Sequence, residues 1–202
     1  MTERRLVRAV AWQRLDVPGA ESCGLWAEGA GGWQLDGTVL VSLESIPYDA
    51  RFVVRCDHAF LTRRTAIVLT SGEQTRALTL EVDAGSWAAR RRDFRDKHEE
   101  TFELPQVTGC RDVDLGFTPA TNTMPIRRLG LNVGESAEIN AAWVRFPELT
   151  VERLPQRYTR LAENRYRYES RDSGFTAELE VDEEGLVVTY EGLWERVGSS
   201  DG

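Results

Sequence analysis

The residues best suited to bind or transform a polar ligand lie in the stretch 109–129. Asp112 and Asp114 are two residues apart, so in an extended chain both carboxyl groups project from one face. Val113 and Leu115 then project from the opposite, apolar face. The spacing therefore predicts a pair of carboxylates on one side of a strand.

A sharp turn is expected to bring arginines back towards these carboxylates. Between Thr118 and Pro125, threonine and asparagine side chains can hydrogen-bond their own backbone and reverse the chain. We expect the chain to resume with Arg127 and Arg128 on opposite faces, which places one arginine opposite the carboxylate pair. Three interpretations stay open: an ion-pair network that fixes the turn, a cluster that holds the polar head of a ligand, or an acid–base or metal-ligand pair.

Established signatures of catalysis are missing elsewhere in the sequence. The chain has two histidines, His58 and His98, so metal sites built on several histidines are excluded. No Gly-x-Ser-x-Gly nucleophile motif occurs, and the glycine-rich run 29–32 leads into a predicted strand, so it does not form a phosphate-binding loop. We therefore assign no catalytic residue, no metal ligand and no cofactor, and favour a protein that is not an enzyme.

Large aromatic residues are spread over nearly every predicted strand. Most are expected in the core, and some could line an apolar cavity, where each CH₂ of a bound acyl chain contributes roughly 0.8 kcal/mol. They are Trp12, Trp33, Trp87, Trp143, Tyr158, Tyr166, Tyr168 and Trp194.

Apolar and polar residues alternate along most of the chain, which indicates β-strands with one buried face. The alternation is clear over 33–43, 48–56 and 175–182, and turn residues separate these segments. With ten or more short strands, an open sheet would leave long edges, so we predict an all-β, mainly antiparallel sheet curled into a roll or barrel. Residues 1–197 are predicted to form this single domain, and 198–202 a disordered C-terminal tail.

Helical signal is scarce, and we expect at most one or two short helices. The best candidate is 87–100, which is rich in Ala, Arg, Lys and Glu but has only Trp87 and Phe94 as large apolar residues. We predict a short helix or an exposed loop there.

Charge and cysteine content limit the partners and the compartment. The 202 residues carry a formal net charge of -8, which disfavours nucleic acid and anionic membranes, and the basic run 90–97 is interspersed with acidic residues. Three cysteines cannot all pair within one chain, which favours a reducing compartment. The N-terminus has no apolar run of the secretory type, and no stretch reaches the roughly 18 apolar residues of a membrane span, so we expect a cytoplasmic protein.

Several motifs together resemble the putative glycolipid-binding family, formerly a domain of unknown function, over nearly the whole chain. They are Trp12-x-Arg14-Leu15-Asp16-x-Pro18-Gly19-x-Glu21, Cys56-Asp57 followed by Thr62-Arg63, Asp112-Val113-Asp114-Leu115 with Arg127-Arg128-Leu129, Ala142-Trp143-Val144-Arg145-Phe146-Pro147, Gln156-x-Tyr158-x-Arg160 and Val181-Asp182-x-x-Gly185-Leu186-Val187. The resemblance implies a spiral β-roll, similar to bacterial lipoprotein-localisation factors that hold acyl chains in an apolar cavity. It also implies a bacterial protein.

We therefore expect a binder of a lipid or glycolipid, with the apolar part of the ligand inside the roll and polar groups at its mouth. The expected ligand-binding residues are Trp12, Arg14, Arg63, Asp112, Asp114, Asn122, Arg127, Arg128, Trp143 and Tyr158. An enzyme that acts on a carbohydrate or polar metabolite through Asp112 and Asp114 is one alternative, and a protein-interaction module is the other. The oligomeric state does not follow from the sequence.

Overall fold

The protein folds into one sheet of fifteen strands, seen in a computed structural model that describes residues 4–29 and 31–202. The strands are β1 (Arg4–Arg14), β2 (Gly19–Glu28), β3 (Trp33–Leu43), β4 (Ile46–Cys56), β5 (Thr62–Ser71), β6 (Gln74–Asp83), β7 (Ser86–Asp93), β8 (His98–Glu103), β9 (Asp112–Leu115), β10 (Ser136–Val144), β11 (Val151–Ala162), β12 (Arg165–Ser170), β13 (Thr176–Val181), β14 (Val187–Tyr190) and β15 (Trp194–Asp201). One α-helix, α1 (Thr123–Leu129), and two 3₁₀ turns, Pro105–Val107 and Ala120–Asn122, complete the described elements.

Two meanders build the sheet, and the first and last strands join them. Strands β1 to β8 follow one another in space, as do β10 to β15, and β1 pairs with β15. All neighbours are antiparallel except β9, which runs parallel to β10. The sheet is curled but not closed, which confirms the predicted all-β, curled architecture. No helix in the described part of the chain is long and apolar enough to cross a membrane.

The alternating pattern places one side chain of every two on the concave face. Trp12, Glu21, Val39, Ala50 and Leu69 are successive cross-strand neighbours on β1 to β5, and all five are buried. The cross-strand register therefore explains why the period of two in the sequence marks the core so well.

Residues 116–130, which we call the inner segment, lie inside the curl. The Phe117 ring meets Phe52 of β4 edge-on, with centroids 6.1 Å apart. On the other half of the sheet, the Tyr158 hydroxyl of β11 donates to Asn122 Oδ1 at 2.8 Å. Because both halves of the sheet contact it, the inner segment fills much of the centre of the roll.

Helix α1 replaces the extended chain that the sequence predicted after Pro125. Proline is tolerated at Pro125 because it lies in the first turn of the helix, where no intrahelical N–H bond is lost. Gly130 ends the helix in a left-handed conformation with φ 53°. Arg127 and Arg128 are therefore adjacent residues of a helix, and their side chains point towards different partners.

The segment 87–100 is a β-hairpin, so the predicted short helix or loop is wrong. Trp87 and Ala89 are buried and face the core, whereas Arg90 is exposed, which is a period of two. Across the hairpin, Arg91 pairs with Glu100 in register. The hydrogen bonds to β6 and these cross-strand charge pairs outweigh the helical propensity of the residue types.

The C-terminal residues continue strand β15, where the sequence predicted a disordered tail at 198–202. Ser199, Ser200 and Asp201 pair with Val10, Ala9 and Arg8 of β1. Arg8 Nε also lies 3.0 Å from Asp201 Oδ1. Pairing along β1 orders this part of the chain although its side chains are small, polar and exposed.

Truncation after Val197 tests the pairing of β15 with β1. The shortened chain leaves the backbone of β1 unpaired at Arg8 to Ala11, so we expect its free energy of unfolding in urea to fall by about 2 kcal/mol. A chain ending at Asp201, which keeps the paired residues, is the control. Identical urea midpoints for the two chains would show that the tail is not part of the sheet.

Candidate functional site

A cleft of about 510 Å³ opens at the end of the roll where β1 finishes and β15 begins. Arg14 and Trp194, which pair across these two strands, lie at this end. The cleft is also lined by residues of β9 to β12 and β14, and by the start of the inner segment. It therefore lies at one end of the roll, beside the start of the inner segment.

A single partly buried carboxyl group, that of Asp114, lies in the wall of the cleft. Asp114 lines the cleft, and its Oδ2 accepts a hydrogen bond from Gln156 Nε2 at 2.5 Å. Burial raises the pKa of Asp114 to about 6, and the hydrogen bond from Gln156 opposes this shift. Near neutral pH the carboxylate is ionised and offers strong acceptor oxygens to a ligand hydroxyl.

The side chain of Asn122, which lines the same cleft, is held in a fixed orientation. Its Oδ1 accepts from the buried Tyr158 hydroxyl at 2.8 Å, and its Nδ2 donates to the Pro119 carbonyl oxygen at 3.1 Å. A primary amide has two N–H groups and two acceptor lone pairs, so one of each remains for a ligand. Tyr158 thus fixes the position of a side chain that lines the cleft.

Five aromatic side chains form the apolar part of the cleft. They are Trp143, Tyr168, Phe175, Tyr190 and Trp194. Ring centroids of Tyr168, Phe175 and Tyr190 lie 6.2 to 6.4 Å apart in tilted or edge-on arrangements, so these rings hold one another in place. Phe175 is 40% exposed and completes the wall at the solvent side.

Two arginines line the cleft, and the Nε and Nη2 atoms of each donate hydrogen bonds to other groups of the protein. Arg14 donates from Nε and Nη2 to the two carboxylate oxygens of Asp16, at 2.7 and 3.0 Å. Arg153 donates from the same two nitrogens to the carbonyl oxygens of Gln106 and Thr108, at 2.9 and 2.8 Å. One of the two edges by which a guanidinium can bind a carboxylate or phosphate in two places is therefore occupied in each residue.

Asp112 and Asp114 have different hydrogen-bond partners. Asp112 is buried and accepts two hydrogen bonds from the Arg128 guanidinium, at 3.0 and 2.5 Å. Burial raises the pKa of Asp112, and the Arg128 guanidinium opposes this shift. The pair ties β9 to α1, as in the structural interpretation of this stretch, and only Asp114 lines the cleft.

The remaining predicted site residues lie outside the cleft. Trp12 is in the core and donates from Nε1 to a backbone carbonyl of β14 at 2.8 Å. Arg63 binds Asp57 at 2.7 Å, and the Arg127 guanidinium lies 5.2 Å from the Phe60 ring centroid. Of the ten residues, the structure brings Arg14, Asp114, Asn122 and Trp143 together in the cleft, with Tyr158 beneath them.

Of the five aromatic residues of the cleft, only Trp143 was in the predicted ligand-binding set, although Tyr168 and Trp194 were among the aromatics that could line an apolar cavity. Tyr168 pairs with Tyr158, and Tyr190 pairs with Trp194, so strand alternation places these rings on the concave face. The alternation in the sequence predicts that these rings share one face of the sheet. The end of the roll at which the rings gather depends on the sheet register, which the alternation does not predict.

A buried carboxyl group connects β2 to the inner segment beneath the cleft. Glu21 Oε1 accepts a hydrogen bond from the Thr118 hydroxyl at 2.7 Å, and Oε2 has no partner among the described residues. Burial raises the pKa of Glu21 to about 8. Glu21 therefore keeps its proton at neutral pH. Within residues 4–29 and 31–202, no group of three or more His, Cys, Asp or Glu side chains is placed to hold a metal ion.

Comparisons with known proteins agree with the fold. A family model described as "Putative glycolipid-binding" matches residues 9–196. The chain is similar to a DUF1089 family protein from Pseudomonas aeruginosa, with 35% identity, a TM-score of 0.75, and coverage of 89% of this chain and 92% of that chain. A β-barrel-like DUF1849 protein from Brucella abortus shares the fold alone, with 8% identity, a TM-score of 0.57 and 98% coverage of both chains. No curated protein matches the chain.

Breaking the Asp112–Arg128 pair tests its structural role. Arg128→Met leaves a buried carboxylate without its partner, so we expect the free energy of unfolding in urea to fall by about 3–5 kcal/mol. Arg63→Met breaks an ion pair whose arginine is 51% exposed, and it should cost less than about 1 kcal/mol. Equal losses in the two variants would contradict a structural role for the buried pair.

Glu21→Gln tests the neutral state of the buried carboxyl group. In the unfolded chain Glu21 ionises near its ordinary pKa of 4.5, whereas the folded protein holds the proton up to about pH 8. The parent therefore loses stability as the pH rises through this window, and the neutral amide does not. We expect the stability advantage of Glu21→Gln over the parent to grow by a few kcal/mol between these pH values.

Urea unfolding at a series of pH values measures this difference, with the exposed Glu81→Gln as the control. A difference between Glu21→Gln and the parent that stays constant with pH would show that Glu21 is ionised in the folded protein.

Proposed function

The chain belongs to the family described as "Putative glycolipid-binding", and from that membership and the shape of the cleft we propose that it binds a glycolipid without transforming it. The observation that carries this proposal is the juxtaposition of hydrogen-bonding groups with an aromatic wall in one cleft. Asp114 and Asn122 supply acceptors and a donor, and Phe175 and Trp194 supply apolar surface. An amphipathic ligand needs both kinds of surface at once.

The volume of the cleft fits the head of such a ligand. About 510 Å³ lies within the range of roughly 300–1,000 Å³ that is usual for small-molecule sites. A sugar ring has an apolar C–H face and a periphery of hydroxyl groups. The flat aromatic side chains match the face, and Asp114 with Asn122 matches the periphery.

The hydrocarbon part of the ligand lies along the mouth of the cleft in this proposal. Trp12, Phe52 and Phe117 are fully buried in the packed centre of the roll, so a long acyl chain would have to displace them to enter. Phe175 and Leu193 instead offer apolar contact at the cleft itself. Lipid or glycolipid is the only class of ligand that we assign.

An enzyme acting on a carbohydrate is a second candidate, favoured by the raised pKa of Asp114. Asp114, Trp143 and Glu152 lie in one cross-strand row and all line the cleft. Strands lie about 4.8 Å apart, so the backbone positions of the two acidic residues are roughly 10 Å apart, near the upper limit for a pair of glycosidase carboxylates. Under this second proposal Asp114→Asn abolishes turnover of a glycoside and preserves folding.

Removing one ring from the aromatic wall tests the binding proposal. We expect Phe175→Ala to raise the Kd for octyl β-glucoside about tenfold, because the apolar contact of a phenyl ring is worth roughly 1–1.5 kcal/mol. Phe94→Ala, in the β7–β8 turn, removes a ring of similar exposure, 44% against 40%, and should leave the Kd unchanged. Calorimetric titration below the micelle concentration measures both.

The proposal fails if the parent protein binds no member of a panel of alkyl glycosides. It also fails if the two variants lose affinity equally, since the contact would then lie outside the cleft.

A further inference from the structure

Charged groups are distributed unevenly in the cleft. Three carboxyl groups line it, those of Asp114, Glu152 and Asp172, against the two arginines Arg14 and Arg153. The balance of charge at the ligand site is therefore acidic, and the formal net charge of -8 for the whole chain has the same sign.

The arginines of the cleft offset these carboxylates only in part, because one of the two is paired with another carboxylate. Asp16 binds Arg14 in two places, so the charge of that guanidinium is already balanced. Arg153 points its Nε and Nη2 atoms at the carbonyl oxygens of Gln106 and Thr108. An incoming phosphate or sulfate would find the Nε–Nη2 edge of both arginines already in use, and it could reach only their remaining N–H groups.

The hydrogen-bonding capacity of Asp114 also disfavours an anionic head group. Asp114 Oδ2 accepts from Gln156, and Oδ1 has no hydrogen-bond partner among the described residues. An ionised carboxylate only accepts hydrogen bonds, and an ionised phosphate or sulfate ester also only accepts. Placing the two together adds like-charge repulsion to an acceptor–acceptor mismatch, whereas a sugar hydroxyl donates to the carboxylate.

The rim of the cleft adds groups suited to hydroxyls. The Ser173 hydroxyl donates to Ser170 Oγ at 2.9 Å and accepts from the backbone N–H of Phe175 at 3.2 Å. Glu152 lies 3.5 Å from Arg145, and both side chains are 49% exposed, so this ion pair is hydrated. It offers a bound anion little attraction.

We infer that the cleft selects an uncharged, hydroxyl-rich glycosyl head group and rejects phosphorylated and sulfated head groups. The inference rests on the proposed function, because it names the head-group chemistry that the same cleft accepts. Asp114 discriminates between uncharged and anionic head groups. Asn122 and the aromatic side chains of the cleft can contact either kind of amphiphile.

Amphiphiles that share one chain test this selectivity. Octyl β-glucoside, octyl phosphate and octyl sulfate are each titrated below their micelle concentrations into the full-length chain, and the Kd values are compared. We expect the glucoside to bind at least about tenfold more tightly than either anion. Asp114→Asn should reduce this preference to about threefold or less, because it removes the charge and supplies an amide donor.

Asp96→Asn removes a carboxylate from the β7–β8 turn, outside the cleft, and should leave the preference unchanged. If the anions bind as tightly as the glucoside, or more tightly, the selectivity is wrong and the cleft remains a site for amphiphiles. A preference that is the same in Asp114→Asn and the parent also overturns the role of Asp114. If no octyl compound binds, the proposed function itself fails, and the selectivity fails with it.

Discussion

A curled sheet must cover its concave face with something other than water, and in this protein the inner segment does so. It crosses the roll from β9 and is held by polar contacts of different kinds. The Asp112–Arg128 ion pair fixes α1 to β9, and the Thr118 hydroxyl binds the buried carboxyl of Glu21. Each contact neutralises or satisfies a group that would be costly to bury alone. The position of the inner segment therefore determines how much of the roll is left open.

The cleft is the part of the concave surface that the inner segment leaves uncovered. Asn122, near the start of α1, forms part of its lining, and Tyr158 of β11 holds that side chain in place. The C-terminal meander contributes the aromatic wall. Residues that we propose for binding are thus close neighbours of residues that fix the fold, as Asp112 and Asp114, two positions apart, show. Asp112 is neutralised by Arg128, whereas Asp114 lines the cleft.

Much of the sheet could be predicted from the period of two, as strands Trp33–Leu43 and Ile46–Cys56 show. The hairpin at 87–100 was missed because its arginines and glutamates have helical propensity and its strand partners are not encoded locally. The ion pair was foreseen as one interpretation of 109–129, but a helix of seven residues decides which arginine reaches which carboxylate. The aromatic wall depends on register between strands distant in sequence, and a pattern within one strand does not contain that information.

We propose that ligands enter the cleft between the inner segment and the C-terminal meander. The six tryptophans offer a direct test, because each indole N–H gives its own signal in a ¹H–¹⁵N correlation spectrum. During titration with octyl β-glucoside, we predict shifts at Trp143 and Trp194, which line the cleft. The indoles of Trp12 and Trp87, which donate to backbone carbonyls in the core, should stay fixed. Shifts at Trp26 or Trp33 with no change at Trp143 and Trp194 would contradict it.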